Sequence, residues 1–178
     1  FMNMAVSYAK IFSNNIYGGV TVKMISEQIS NVRANGAALD AGIQYVTGKE
    51  DNLKFGIALK NVGPRISFTG DGLSFRGIVG DGDDYKMTVE ERSSELELPA
   101  LLNIGMSYDI NIQRHRLTGA GTFTSNSFQK DQYRLGGEYS YREMFMFRLG
   151  YTYENGIRNP LTRTTALRGP SGGFTIEI

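Results

Sequence analysis

The sequence has no cysteine and no tryptophan, and it has only four prolines and one histidine among 178 residues. Without cysteine the chain forms no disulfide and no thiolate metal site. A formal net charge of +1 gives no concentrated basic surface, so a nucleic-acid partner is not expected. No run of about 18 apolar residues occurs, which excludes a candidate transmembrane helix.

Glycine and aromatic residues are abundant: the chain has 22 glycines, ten tyrosines and ten phenylalanines. This composition with few prolines favours strands over helices. The mean hydropathy of −0.27 resembles that of a soluble protein, but the alternating strands of a membrane barrel also average to mild polarity. The chain begins and ends in strand-like sequence, so we expect an incomplete segment of a longer protein.

Alternation of apolar and polar residues with period two recurs along almost the whole chain and predicts an all-β, antiparallel fold. Most of the predicted strands have the roughly 9–11 residues that a tilted strand needs to cross a bilayer, whereas strands of soluble proteins more often have about 5–6. About nine strands are expected, at residues 2–10, 15–28, 37–47, 53–62, 99–110, 115–124, 132–142, 144–154 and 173–178.

The lengths of the predicted connections also favour a membrane barrel. Connections at FSNN, GKEDN, NIQR and Arg142–Glu143 are short, and they alternate with longer ones at ISNVRANG, 63–98, SNSFQKD and 155–172. Outer-membrane barrels have short periplasmic turns at one end and long external loops at the other. The chain is therefore predicted to be one antiparallel transmembrane β-barrel domain over residues 1–178, with long external loops 63–98 and 155–172.

The two parities of each predicted strand differ in character. One is apolar and the other is charged or rich in glycine, which also fits a soluble antiparallel sheet with its apolar face inside. Strand and loop lengths favour the inverted arrangement, with lipid against the apolar parity. Lipid-facing positions are then Phe55, Ile57, Ile104, Phe147 and Leu149. Polar positions facing the lumen are Lys23, Asp40, Lys54, Arg134, Glu138 and Arg148.

Motifs for catalysis and for metal or cofactor binding are weak. His115 lies between two arginines at a strand start, and neither Ser107 nor Asp109 belongs to a nucleophile-elbow sequence. An embedded hydrolase is the minor alternative to a non-enzymatic barrel. The acidic residues at 71, 81, 83 and 84 lack EF-hand spacing and its terminal glutamate, so a solvated loop is favoured over a cation site. No catalytic residue, metal or cofactor is expected.

The 63–98 connection is the functional candidate by its size, because long connections in compact folds are usually functional or disordered. Its apolar side chains need cover from the loop itself or from a partner, and the 155–172 connection is basic. The candidate partner-binding residues in the two connections are Pro64, Arg65, Phe68, Leu73, Phe75, Tyr85, Met87, Arg158 and Arg163.

Two segments carry a family resemblance: KFGIALKNVGPRISF at 54–68 and ELPALLNIGMSYDI at 97–110. A strand ending in N-V-G-P-R-I, followed by a variable loop and an L-P-x-x-L-x-x-G-x-x-Y-D strand, resembles PorV/PorQ-type outer-membrane proteins of the type IX secretion system. These are relatives of the FadL barrels. The matching positions are Asn61, Val62, Gly63, Pro64, Arg65, Ile66, Leu98, Pro99, Leu102, Gly105, Tyr108 and Asp109.

The resemblance implies a FadL-like barrel of 14 strands, of which about nine lie in this segment, in the outer membrane of a Gram-negative bacterium. It implies a non-enzymatic component that docks on a large outer-membrane translocon barrel and shuttles or recognises secreted cargo bearing a C-terminal signal, in contact with outer-membrane lipid. The long, partly apolar 63–98 connection favours a PorV-like member. The alternative is a FadL-like transporter of hydrophobic small molecules, for which the polar, glycine-rich inner parity offers little apolar pocket.

Overall fold

The computed structural model describes residues 1–79, 85–155 and 169–177, with the backbone alone at 78, 79 and 85. In this part of the chain the regular structure is strand, apart from two single-turn 3₁₀ helices at Lys49–Asp51 and Asp71–Leu73. None of its helices is long or apolar enough to cross a membrane. The strands are β1 (Met2–Ser13), β2 (Ile16–Ile29), β3 (Val32–Thr47), β4 (Leu53–Val62), β5 (Phe68–Thr69), β6 (Ser74–Val79), β7 (Tyr85–Glu90), β8 (Leu101–Ile112), β9 (His115–Asn126), β10 (Gln132–Tyr141), β11 (Phe145–Glu154) and β12 (Pro170–Ile176).

Most strands form one antiparallel sheet in the order β1-β2-β3-β4-β8-β9-β10-β11-β12. β5 pairs with β3, and β6 and β7 form a separate two-stranded sheet. The nine predicted strands are all present, so the all-β, antiparallel prediction is confirmed. Among the described residues the end strands β1 and β12 have no pairing with each other, and closure into a barrel stays a prediction.

The register keeps residues of one parity on one face across neighbouring strands. Gly105 in β8 lies opposite Thr122 in β9, which lies opposite Arg134 in β10, which lies opposite Thr152 in β11. Because side chains alternate with period two, a slip of one residue would move every side chain of a strand to the other face. The alternation read from the sequence therefore defines two continuous faces.

One predicted connection is wrong. The segment ISNVRANG was expected to be a medium loop, but β2 and β3 extend through it and leave only a two-residue turn at 30–31, with Ser30 at φ 53°. Loop lengths therefore do not alternate at every join. The physical reason is that Ala34, near the start of β3, is buried and pairs with Phe68 of β5, a long-range contact that favours strand here.

The tight join predicted at Arg142–Glu143 is present as a turn between β10 and β11. Arg142 and Glu143 have φ of 51° and 58°, the positive values that hairpin turns matching the twist of their strands require. At the next join β12 begins at Pro170, so the last three residues predicted as part of the 155–172 loop belong to a strand.

The 63–98 connection, predicted as a long external loop, is partly regular structure. It contains β5, the 3₁₀ turn Asp71–Leu73 and the hairpin formed by β6 and β7. The hairpin strands SFRGIV and YKMTVE have six residues each. Strands this short are difficult to recognise from sequence in a segment that is polar on average.

The chain divides into two compact units. The first comprises Phe1–Ser7, Thr21–Asp40 and Asn61–Leu98, and the second comprises Tyr8–Val20, Ala41–Lys60 and Pro99–Ile178. Neither has a large apolar core among its described residues: the buried hydrophobic residues are Ala34, Ala38 and Ile66 in the first unit and Val46 in the second. The largest fully buried side chains are polar, namely Glu154 and Ser140.

Candidate functional site: the polar face and the 63–98 connection

In the main sheet the apolar face is exposed and the polar face is half-buried, which is the reverse of a soluble sheet. In β8 the apolar residues Ile104 and Met106 are 43% and 52% exposed, whereas the alternate residues Asn103 and Ser107 are half-buried. A soluble antiparallel sheet buries its apolar face and leaves its polar face in water. The apolar face here therefore needs a cover other than water.

The residues predicted to face lipid all lie on this exposed apolar face. Their exposed fractions are Phe55 40%, Ile57 55%, Ile104 43%, Phe147 49% and Leu149 59%. In β8 to β11, which the structure describes completely, no lysine, arginine, aspartate or glutamate shares the parity of these residues. Contact with lipid itself stays a prediction.

Two aromatic clusters lie on this face near the two ends of the strands. One groups His115 with Tyr139 and Tyr141, at ring-centroid distances of 5.9 and 5.1 Å. The other groups Tyr133 with Phe123 and Tyr153, at 5.0 and 6.4 Å.

The two aromatic clusters are separated by most of the length of β10. Along β10, Tyr133 and Tyr141 are eight residues apart, which is about 27 Å at ~3.4 Å per residue. At the tilt of about 40° that strands have in outer-membrane barrels, this length would cover about 21 Å along the barrel axis, and the apolar band of such barrels is ~25 Å tall.

Charged side chains on the polar face link neighbouring strands. In the second unit, Lys54 Nζ of β4 lies 2.8 Å from Asp109 Oδ2 of β8, and Thr118 Oγ1 of β9 donates to Asp109 Oδ1 at 2.6 Å. His115, by contrast, hydrogen bonds Tyr139 Oη at 2.7 Å on the apolar face. Asp109 and His115, weighed for a hydrolytic arrangement, therefore have separate partners on opposite faces.

Glu138 in β10 is the centre of a second group of charges. Arg116 Nη2 of β9 donates to Glu138 Oε1 at 3.0 Å, and Arg148 Nε of β11 donates to Glu138 Oε2. Arg148 also donates to Thr175 Oγ1 of β12 at 2.8 Å. One carboxylate and two guanidinium groups thus connect four consecutive strands.

Arg134 belongs to a third polar group, nearer the other end of β10. It donates to Gln132 Oε1 at 2.8 Å, and Gln132 donates to Glu154 Oε2 at 3.1 Å. Gln132 and Glu154 are buried. Both residues lie on the polar parity of their strands, and this parity is the signal in the sequence that places them on the polar face.

In the first unit, Lys23, Asp40 and Asn61 form what we call the Asn61 cluster. Lys23 Nζ lies 2.6 Å from Asp40 Oδ2 and donates to Asn61 Oδ1 at 2.9 Å, while the Asn61 backbone N–H donates to Asp40 Oδ1 at 2.8 Å. Asn61 has φ 59°, a left-handed conformation that is uncommon outside glycine. The cluster holds this conformation where β4 gives way to the 63–98 connection.

Two glycines let the chain after Asn61 lie directly on β3. A Cβ atom at Gly63 would collide with the Ala37 carbonyl oxygen, and one at Gly36 would collide with the Ile66 side chain. At Gly63 the obstacle is backbone, so this position requires glycine. At Gly36 the missing side chain leaves the space that the buried Ile66 side chain fills.

The start and end of the 63–98 connection pair to form a stem, residues 65–69 and 93–97. Ile66 and Leu96 exchange two backbone hydrogen bonds of 2.8 and 2.7 Å. Arg65 donates to Glu95 Oε2 at 3.1 Å and to Glu97 Oε1 at 2.6 Å, and these bonds raise the pKa of Arg65 above its ordinary value. Because the three charged side chains are largely exposed, the stem depends mainly on its backbone pairing.

The candidate partner-binding residues fall into separate groups. Pro64, Arg65 and Phe68 lie at or in the stem, and Leu73 is half-buried in the 3₁₀ turn. Phe75 and Met87 lie on the hairpin, each 54% exposed. Tyr85 pairs through its backbone with Val79. The remaining candidates, Arg158 and Arg163, lie outside the described residues, as do Asp81, Asp83 and Asp84.

A cavity of about 720 Å³ lies in the second unit. Its lining includes glycines of β2, β3, β4 and β8, among them Gly19, Gly42, Gly56 and Gly105. These glycines leave space that side chains would otherwise fill.

Comparison of the chain with protein-family models, with curated proteins and with solved structures gives no match.

Replacing Glu138 with glutamine is expected to destabilise the folded protein by about 1–2 kcal/mol. The change leaves Arg116 and Arg148 without their shared carboxylate, but both arginines are partly exposed, so the loss is smaller than the roughly 3–5 kcal/mol of a fully buried pair. The midpoint of heat unfolding in detergent measures it. Glu143→Gln, which removes only the more exposed partner of Arg116, should cost under about 1 kcal/mol; equal losses would contradict the central role of Glu138.

When Asp40 is replaced with alanine, proteases are expected to cleave the 63–98 connection about ten times faster. The change removes the acceptor of the Asn61 N–H and the partner of Lys23, and losing such charged hydrogen bonds costs about 1.5–3 kcal/mol, where ~1.4 kcal/mol is tenfold. Limited proteolysis measures it. Asn61→Gly, which adopts positive φ freely, should be cleaved more slowly than Asp40→Ala; the reverse order would show that the cluster does not act through this conformation.

Proposed function

We propose that this chain is part of a FadL-like β-barrel, of 14 strands in full, in the outer membrane of a Gram-negative bacterium. The supporting observation is the exposure of the apolar face together with the half-buried, ion-paired polar face. In water, an apolar face of this extent would drive association. In a bilayer the same face is solvated by lipid, and the polar face surrounds the lumen.

Within that class, the chain acts as a non-enzymatic component of type IX secretion. It docks on the large translocon barrel and shuttles or recognises cargo with a C-terminal signal. Support comes from the PorV/PorQ-like residues: N-V-G-P-R-I leads from the Asn61 cluster into the stem, and the second motif runs along β8 to Asp109. The hairpin that follows the stem offers exposed apolar side chains to a partner.

Affinity purification from outer membranes, with identification of co-purifying proteins, tests this function. A very large barrel protein or cargo with a C-terminal signal domain is expected among them. Recovery of the chain from the soluble fraction would contradict the membrane barrel. Recovery from the outer membrane with bound lipid but without these proteins would contradict the secretion role.

The cavity of about 720 Å³ favours a second candidate, a FadL-like transporter of hydrophobic small molecules. A Cβ atom at Gly56 would lie 4.0 Å from the backbone oxygen of Ile43, so Gly56→Met can place a side chain in the cavity. A transporter would lose bound lipid or small-molecule uptake in this variant, whereas a secretion component would keep its co-purifying proteins.

A further inference from the structure

The hairpin of β6 and β7 has one apolar and one polar face. Phe75 lies opposite Val89, and Gly77 lies opposite Met87. The alternate pairs Ser74 with Glu90 and Arg76 with Thr88 are polar, and the third pair of that parity, Ile78 with Lys86, is mixed. Within the described residues these two strands pair only with each other.

The apolar face is open and nearly continuous. Phe75 and Met87 are each 54% exposed. At Gly77, between them, a Cβ atom would lie 3.5 Å from Phe75 Cε2 and 3.7 Å from Val89 Cγ2, so the Phe75 ring and Val89 close the gap that the glycine leaves. A two-stranded hairpin is at best marginally stable in water without a third strand or a packing surface. We therefore expect the apolar face of the hairpin to pack against another surface.

The charge of the 63–98 connection distinguishes between the surfaces that could cover the apolar face of the hairpin. Residues 63–98 contain eight acidic and four basic residues, a net charge of −4. Among the described residues in and beside the hairpin, the exposed acidic Asp71, Glu90 and Glu91 are equal in number to the exposed basic Arg76, Lys86 and Arg92. The acidic excess of the connection therefore comes from its other acidic residues, at 81, 83, 84, 95 and 97. An anionic lipid surface would repel such a segment, whereas a protein groove rimmed by lysine or arginine would attract it. Charge complementarity thus favours a protein partner.

We propose that the hairpin docks through Phe75, Met87 and Val89 into an apolar groove, rimmed by basic residues, on a partner protein. The inference rests on the proposed function, because it takes the 63–98 connection to be the docking element, and it adds the chemistry of the partner surface. Burial of an aromatic side chain at the centre with charges at the rim is the usual anatomy of such interfaces.

Site-specific photo-crosslinking in the native outer membrane tests the proposal. A benzophenone amino acid replaces Phe75 or Met87 in the full protein, and Thr88 on the opposite face is the matched control. The two apolar-face positions are expected to give an adduct with one protein at least fivefold more than Thr88 does. Mass spectrometry of that adduct is expected to find apolar residues flanked by lysine or arginine.

Charge variants provide the second measurement. Glu90→Lys with Glu91→Lys is expected to reduce the adduct at least threefold, and Arg76→Glu with Lys86→Glu is expected not to reduce it. Adducts with lipid, with a second copy or within the chain would overturn the proposal, as would no adduct, equal yields from both faces or a partner surface without basic residues. If one of these outcomes occurs in a protein that still fractionates as a folded outer-membrane barrel, the docking proposal fails and the membrane-barrel proposal stands. The failure of one can therefore be told from the failure of the other.

Discussion

Leu149→Arg is expected to prevent assembly into the outer membrane, whereas Arg148→Leu, one residue earlier, is expected to be tolerated. Leu149 lies in the middle of β11, is 59% exposed, and has glycines opposite it on both neighbouring strands, Gly137 and Gly172. No adjacent acidic group would pair with an arginine there. Arginine at the midplane of a barrel's lipid face costs about 2–4 kcal/mol.

Arg148→Leu removes one partner of Glu138 and the bond to Thr175, but Arg116 still donates to Glu138. Its cost is expected to be about 1 kcal/mol, because Arg148 is half exposed and the carboxylate stays paired. Heat-modifiable gel mobility and the amount of folded protein in the outer membrane measure both variants. Tolerance of Leu149→Arg combined with loss of assembly in Arg148→Leu would reverse the assignment of the two faces.

The strands and their faces could be predicted from sequence because both depend on local alternation. In β8 to β11, period two holds over ten or more residues, so the parity of Ile104 or Leu149 also gives its face once the strands pair in register. The pairing itself needs only short turns, such as Arg142–Glu143, that bring consecutive strands together.

The features that could not be predicted depend on residues far apart in sequence. The Asn61 cluster joins residues 23, 40 and 61, and no pattern within one strand indicates that these three side chains meet. Ala34 was assigned to a loop because its neighbours are polar, although β5 covers it from 34 residues away. The β6–β7 hairpin was missed because its strands are short and lie in a mostly polar segment.

The stem makes it possible to remove the hairpin without disturbing the sheet. Leu73 O accepts a hydrogen bond from Glu91 N at the base of the hairpin. Phe68 N donates to Ser93 Oγ at 2.8 Å, and Ile66 pairs with Leu96. Replacing residues 71–91 by a Gly-Ser linker therefore joins two chain segments that are already neighbours, and short hairpin connections of this kind are common.

This replacement is expected to reduce co-purification of the translocon barrel and of cargo at least tenfold while leaving folding and outer-membrane insertion unchanged. The reason is that the exposed apolar residues Phe75 and Met87 are lost, whereas the Asn61 cluster and the stem remain. The matched control replaces the 127–131 connection between β9 and β10 with a Gly-Ser linker of equal length, which should keep co-purification. If the protein without residues 71–91 inserts normally and still recovers both partners, the connection is not the docking element, and the partner contact has to be sought elsewhere in the chain.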